Sequence, residues 1–316
     1  MESYKKCSLC PRSCQAKRAD GEKGFCEVTD QLKVARAALH FWEEPCISGT
    51  RGSGAVFFSG CSLHCVFCQN EEISHGRVGK EITAERLAEI FLELQDQKAN
   101  NINLVTPGHY LPHIIKAVEA ARRQGLRLPI IYNSSGYEKV EALKRLEGIV
   151  DVYLPDFKYM DPVLADRYSH AQFYPHVAKA AIAEMVRQQP HCLFYPEASS
   201  PMTAEMSGEA EDGWLIAKGV IVRQLLLPGQ LADAKAIVRY LHETYGDAVY
   251  LSLMSQFTPM PQLSGFPELG RKVTEAEYEE YVDYAIELGV ECGFIQEGDV
   301  ASESFIPAFD YEGVER

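Results

Sequence analysis

Residues 54–70 read GAVFFSGCSLHCVFCQN, a short β-rich run that ends on glycine and opens into three cysteines spaced C-x3-C-x2-C. Three thiols are an odd number for disulfides and one short of a tetrahedral thiolate site. Outward from this stretch, strand-like and helix-like segments alternate. TAERLAEIFLELQDQ (83–97) sets Leu87, Ile90, Phe91 and Leu94 on one helical face, with Thr83 as N-cap. NINLV (101–105) precedes a helix near 111–124, PIIY (129–132) one near 137–147, and VDVYLPD (150–156) helical material at 161–188. GVIVRQLLL (219–227) precedes 231–245, and AVYLSLM (248–254) precedes 274–288. Such units join through right-handed crossovers into a parallel sheet with helices outside. The six units are too few for a closed eight-fold barrel, and no G-x-G-x-x-G opens a helix. The expected fold is α/β, a partial (βα)6 TIM-type barrel over residues 51–316, preceded at 1–50 by a cysteine-rich metal-binding segment and its connection. Residues 189–213, QPHCLFYPEASSPMTAEMSGEAEDG, lack either period and read as a loop insertion, a lid or a disordered segment.

Composition narrows the function. The chain is 46% hydrophobic and 24% charged, ordinary for a globular protein, and its net charge of −14 argues against nonspecific nucleic-acid binding. No apolar run reaches bilayer length and MESYKKCSLC has no apolar signal core, so the reading is cytoplasmic, without membrane association. In that compartment ten cysteines point to metal or catalysis rather than disulfides. Residues 275–316 carry thirteen Asp/Glu against one Arg, which reads as a solvated helix face plus an exposed end, or as a docking surface for a basic partner.

Cys61, Cys65 and Cys68 fall where the first strand ends, and in α/β barrels the C-terminal strand ends form the functional face. Soft thiolates select zinc or iron–sulfur. For a closed zinc site His64 is poorly placed between two ligands and His75 is the remaining candidate; a [4Fe–4S] cluster on three cysteines instead leaves one iron open to substrate. At the other end CSLCPRSCQAKRADGEKGFC supplies Cys7, Cys10, Cys14 and Cys26, spaced C-x2-C-x3-C-x11-C. Four thiols in so short a span indicate a second metal, structural zinc or an auxiliary Fe–S cluster, with Lys17, Arg18 and Lys23 offsetting thiolate charge. Cys46, Cys192 and Cys292 are isolated and read as buried structural thiols. The glycine-rich 49–54 stretch reads as a turn before a strand.

C-x3-C-x-Φ-C, with Phe67 as Φ, resembles the signature of the radical S-adenosylmethionine (SAM) superfamily. The resemblance implies a [4Fe–4S] cluster whose open iron binds the amino and carboxylate groups of SAM, with Phe67 near the adenine. EEPCISGTRGSGAVFFSGCSLHCVFCQN (43–70) is similar to the start of glycyl-radical activating enzymes, the pyruvate formate-lyase activase group. CSLCPRSC (7–14), NLVTPGHY (103–110), YLPDFKY (153–159), IVRQLLLPG (221–229) and SLMSQFTP (252–259) look closer to an uncharacterised branch, the PflX-like Fe–S proteins.

Carried over by position, the resemblance implies SAM contacts at Phe67, His109, Asn133, Ser135, Asp156, Lys158 and Arg223. Lys158 suits the SAM carboxylate as a point charge. Asn133-Ser134-Ser135-Gly136 stands where activases carry Asp-Thr-Asn-Gly, so the acidic residue of a cation site is replaced. Thr106-Pro107-Gly108-His109 stands where most relatives carry Gly-Gly-Glu, leaving His109 or backbone carbonyls to grip the SAM amino group. Gln224 stands where branch relatives carry His. The residues alone also allow an Asp156–Lys158 surface ion pair, a hydrogen-bonded loop histidine at 109 and a structural salt bridge at Arg223. The implied function is reductive cleavage of SAM to a 5′-deoxyadenosyl radical. The implied partners are a glycyl-radical enzyme and a flavodoxin- or ferredoxin-type reductant. Alternatives are a radical SAM enzyme acting on a small molecule or peptide, and a non-enzymatic Fe–S carrier or scaffold.

Overall fold

The computed structural model describes residues 2–199, 201, 202, 204–296 and 307–315. Residues 2–31 contain only two single-turn 3-10 helices; the first strand, β1 (Leu32–His40), follows, then the short helix α1 (Pro45–Ser48). β2 (Ser53–Phe58), α2 (Glu71–Ser74) and β3 (Lys80–Ile82) frame the thiol loop. The alternation then runs α3 (Ala84–Asp96), β4 (Ile102–Val105), α4 (Leu111–Arg123), β5 (Ile130–Ser134), α5 (Val140–Leu143), β6 (Val152–Pro155), α6 (Pro162–Ser169) and α7 (Tyr174–Gln188). It closes with β7 (Leu193–Pro196), β8 (Trp214–Leu225), α8 (Leu231–Tyr245), β9 (Tyr250–Met254), α9 (Glu275–Leu288) and β10 (Gly293–Ile295).

The strands form one sheet in the order β10-β9-β8-β6-β5-β4-β2-β1-β3, with β7 paired to β8. β2, β4, β5, β6, β8 and β9 pair in parallel, so the six expected units are present as a partial barrel. Every residue of β2, β4, β5, β6 and β9 is buried, because helices cover one face and the barrel interior fills the other. α3 buries Leu87, Ile90, Phe91 and Leu94 against the sheet, and the Thr83 side chain caps it by accepting from Arg86 N at 3.1 Å. α4 repeats the pattern with Leu111, Ile114, Val118 and Ala121. No described helix is long and apolar enough to cross a membrane.

Three elements depart from the expected plan. The connection before β2 contains β1, antiparallel to β2, with a register shift between Val34 and Arg36. The 189–213 stretch is not wholly a loop, since β7 lies inside it and forms an antiparallel hairpin with the early part of β8. The acidic tail is partly engaged within the molecule: Ala37 N donates to Glu312 O, Tyr311 N to Ala35 O, and Arg36 pairs with Asp310 and Glu312. Residues 307–315 therefore strap the edge of β1 rather than standing free as a docking surface.

Candidate functional site

The C-terminal ends of the parallel strands surround a cavity of about 250 Å³. One wall is the loop after β2, which presents Cys61, Cys65 and Cys68 together. The loop leaves the strand through Gly60, at φ +91°, where a Cβ would come within 2.6 Å of the Cys26 carbonyl; only glycine fits. Cys61 Sγ accepts from Leu63 N at 3.3 Å and Cys65 Sγ from Ser169 Oγ at 3.1 Å. Burial pushes the thiol of Cys61 up to about 11 and that of Cys68 to about 12, so metal loading must displace protons. Among the described residues no three Cys, His, Asp or Glu side chains converge as a ready-made ion site; the three thiols share a cavity wall.

Phe67 also faces the cavity and packs edge-on against Tyr159, Tyr168 and Phe257 at 6.1–6.4 Å between ring centroids. The aromatic before the last cysteine is thus locked by packing, ready to offer its remaining face to a planar group.

An ionic chain lines the same cavity. Lys158 Nζ donates to Asp156 Oδ2 at 2.6 Å, and Arg223 Nε donates to Asp156 Oδ1 at 2.9 Å. The Arg223 fork continues to Glu43 Oε2 at 3.0 Å and Asn133 Oδ1 at 2.7 Å. Asn133 Nδ2 and Asn103 Nδ2 both donate to Glu43 Oε1 at 3.2 Å. Burial alone would raise the Asp156 carboxyl, but the Arg223 and Lys158 cations hold it below the usual aspartate value. Burial would likewise lower Lys158 and Arg223, and their carboxylate neighbours raise both instead. An amide suits position 133, because it accepts from Arg223 and donates to Glu43 at once; an aspartate would do only the first.

Phe67, Asn133, Ser135, Asp156, Lys158 and Arg223 all line this cavity with the three thiols. His109 does not. Its ring is buried with Nε2 2.8 Å from the Ser59 carbonyl, and burial drives its pKa down to about 3, so it stays neutral and structural. Thr106, at the end of β4 and at φ +58°, faces the cavity in its place. His75 packs at a tilt of 43° against His64 with centroids 4.6 Å apart and lies outside the lining, as does Gln224. Sequence reasoning missed Glu43 and Thr258 as cavity residues. The Thr258 hydroxyl is buried without a partner, the mark of a wall built to receive a polar ligand. Its available signal was the SLMSQFTP stretch that contains it.

Residues 55–188 match the family model of the radical SAM superfamily. They are a radical SAM domain. An uncharacterized protein of Methanocaldococcus jannaschii is 27% identical over 290 residues, spanning 89% of this chain and 75% of that protein. The pyruvate formate-lyase-activating enzyme of Clostridium pasteurianum is 29% identical over 112 residues, 34% of this chain and 45% of that enzyme. Among solved structures, the FeFe-hydrogenase maturase HydG from Carboxydothermus hydrogenoformans superposes with a TM-score of 0.49 at 10% identity, over 78% of this chain and 54% of that one. The chain spans about half the length of the solved structures it matches. A radical SAM domain works with a [4Fe–4S] cluster and SAM. The donor set here fits both: three thiols, a lysine, an arginine and an unpartnered threonine hydroxyl line one cavity.

The N-terminal thiols lie apart from this cavity. Cys7 and Cys26 are buried, Cys10 is half-buried and Cys14 exposed. A Cβ on Gly24 would meet Cys26 Sγ at 3.3 Å and Cys14 Sγ at 3.4 Å, so the glycine lets those two sulfurs approach one spot. Arg18 is fully buried; it donates to Thr29 O and His109 O, and its Nη1 lies 3.7 Å from Cys7 Sγ. Of the isolated cysteines, Cys46 and Cys192 sit in an apolar cluster with Ile131 and Phe194, and Cys292 packs at its margin.

Proposed function

We propose that this radical SAM enzyme is of the glycyl-radical activating type, taking a hydrogen atom from a glycine in a partner protein. Cys61, Cys65 and Cys68 would hold the cluster, Lys158 and Arg223 the anionic end of SAM, and Phe67 its adenine. Bound there, cluster and SAM supply reductive cleavage of the sulfonium to a 5′-deoxyadenosyl radical. Asp156 keeps both cations charged at the cavity, and the apolar side chains of Phe67 and Phe257 in its lining would exclude water from a bound SAM.

The observation that carries the reading is the cavity rim. Among the described residues β10 and β3, the ends of the strand order, are not paired, which leaves the barrel open on one side there. Trp42 lines the cavity while 61% exposed, and its neighbour Phe41 is 50% exposed. Exposed aromatics at a mouth of this kind suit a protein surface more than a free metabolite. Partial similarity to an activating enzyme supports the same class. The Glu43–Arg223 pair favours the second reading, a small polar substrate or peptide, since it places largely buried hydrogen-bonding groups in the cavity lining. We further infer that Cys7, Cys10, Cys14 and Cys26 hold a second metal, zinc or an auxiliary Fe–S cluster, and that a flavodoxin- or ferredoxin-type protein supplies the electron.

Reduced, reconstituted protein with SAM alone is expected to form 5′-deoxyadenosine slowly. Adding the correct glycyl-radical enzyme accelerates cleavage and yields a doublet in electron paramagnetic resonance (EPR). Acceleration by a small-molecule or peptide fraction, with no candidate glycyl-radical enzyme active, transfers the assignment to the second reading.

A further inference from the structure

We propose that Arg12 is a positioning residue for the cluster-binding loop, locking the Cys61–Cys65 backbone to the N-terminal thiol segment. The inference rests on the three-cysteine loop being the cluster site and concerns how that loop is held.

Arg12 lies between Cys10 and Cys14, yet its guanidinium reaches the loop after β2. Nε donates to Ser62 O at 2.8 Å and Nη2 to Leu63 O at 3.2 Å, both within the C-x3-C span. Nη2 also donates to Ser169 O at 2.8 Å, and Nη1 donates to His170 O. The Ser169 hydroxyl in turn donates to Cys65 Sγ at 3.1 Å. One side chain therefore touches the backbone beside one thiol and the residue that hydrogen-bonds another. Phe25 stacks on the guanidinium 4.0 Å from the ring centre, and Tyr137 lies 5.3 Å away, so aromatic rings from two segments hold the fork in place.

The four carbonyls are not arbitrary. Leu63 O and Ser169 O immediately precede His64 and His170, which adopt left-handed φ of +56° and +48°. Such a conformation is disfavoured for residues with a Cβ and persists where surrounding contacts over-determine it. Without the guanidinium, carbonyls gathered from two turns would face one another with no donor between them. A planar fork with five N–H groups can serve four acceptors at once, and a lysine ammonium cannot. The cation next to the thiolate loop also bears on the cluster's electronic state, since charge and hydrogen bonding around the ligands tune Fe–S centres.

The test uses the full chain, reconstituted anaerobically, as wild type, Arg12→Ala, Arg12→Lys and Lys139→Ala. Lys139 Nζ bonds Ser13 Oγ at 2.7 Å, so its variant loosens the same N-terminal loop without touching the cluster loop. The readouts are iron per chain, the EPR spectrum of the reduced cluster with and without SAM, and KM for SAM against kcat. Both Arg12 variants are expected to change the spectrum and to raise KM for SAM about tenfold or more, the scale of losing a partner that orients a metal-site ligand. Lysine is not expected to rescue, and Lys139→Ala keeps the wild-type spectrum. Wild-type spectra and KM in Arg12→Lys overturn the proposal, as does an equal spectral change in Lys139→Ala. Iron content and spectra are read without turnover, so they judge Arg12 even if the wild type cleaves no SAM, a result that would instead defeat the enzymatic reading.

Discussion

Cys61, Cys65 and Cys68 belong to a loop whose start is set by β2, a strand paired on both sides, and whose wall is completed by β6 and β8 across the barrel. Cys7, Cys10, Cys14 and Cys26 belong to a segment with no strand, carried by two single-turn 3-10 helices and pinned by the side chains of Arg12 and Arg18. The first site is preorganised by the sheet; the second depends on side-chain anchors and on whatever its own thiols bind. The same contrast recurs in two buried carboxylates. Asp156 in the cavity sits between two cations and is held low. Glu138, against Tyr132 and next to the Lys139 that anchors the N-terminal loop, has no cation partner among the described residues, and burial drives its pKa up to about 8.

The largest expected effect tests the division between the two thiol groups. Replacing Cys61, Cys65 and Cys68 together by Ala should abolish 5′-deoxyadenosine formation and remove one cluster's worth of iron. Metal analysis of that variant then reads the N-terminal site alone: residual iron with sulfide means an auxiliary cluster, stoichiometric zinc a structural clip. Unchanged iron content breaks the assignment of the first site, and no remaining metal breaks that of the second.

Next in size is the cavity carboxylate. Asp156→Asn leaves Lys158 and Arg223 buried without the anion that joins them, a loss expected to cost about 3–5 kcal/mol in urea unfolding. Because its native pKa is depressed, Asp156 stabilises the fold above the ordinary aspartate value, and that contribution disappears only as pH falls through the native value. Glu138 carries the opposite sign. Its native pKa is raised, so between the ordinary glutamate value and about 8 the folded chain binds a proton that the unfolded chain does not. Stability therefore falls as pH rises across that window. Glu138→Gln, nearly isosteric and uncharged, should flatten the slope; an unaltered profile would show that the carboxylate ionises freely.

The six strand-helix units were legible because their signals are local: β-branched runs, then apolar residues at helical spacing behind an N-cap. β1 was not, since LKVARAALH is alanine-rich and its alternation is broken by the register shift at Val34/Arg36. β10 spans only Gly293–Ile295 and owes its existence to pairing with β9. At the site, the thiol spacing announced itself, and Asp156 and Lys158 lie two residues apart on one strand end. Glu43 gives no such hint, because its partner Arg223 is 180 residues away. His109 misled for a related reason: its place beside the cavity strand was readable, but the Ser59 carbonyl that turns its ring inward was not.

The smallest effect concerns the two chain ends as clips on the barrel. The N-terminal segment is fastened by two guanidinium groups, Arg18 buried and Arg12 half-buried, whereas the strap at 307–315 combines exposed charges with one buried apolar residue. Arg36 is largely buried, but its partners Asp310 and Glu312 are each 56% exposed, so water and salt screen the pairs. Val314 is 1% exposed, and Arg86 donates to its carbonyl at 3.2 Å. Val314→Ala removes two buried methyl groups and is expected to cost about 2 kcal/mol, little affected by salt. Arg36→Ala should lower the unfolding midpoint less, and the difference from wild type should shrink as salt is raised. The reverse ranking would mean that the acidic strap is held electrostatically. That outcome would return the tail's charge to the centre of how this face of the molecule works, because Pro307 at the start of the strap lines the same cavity as the three cysteines.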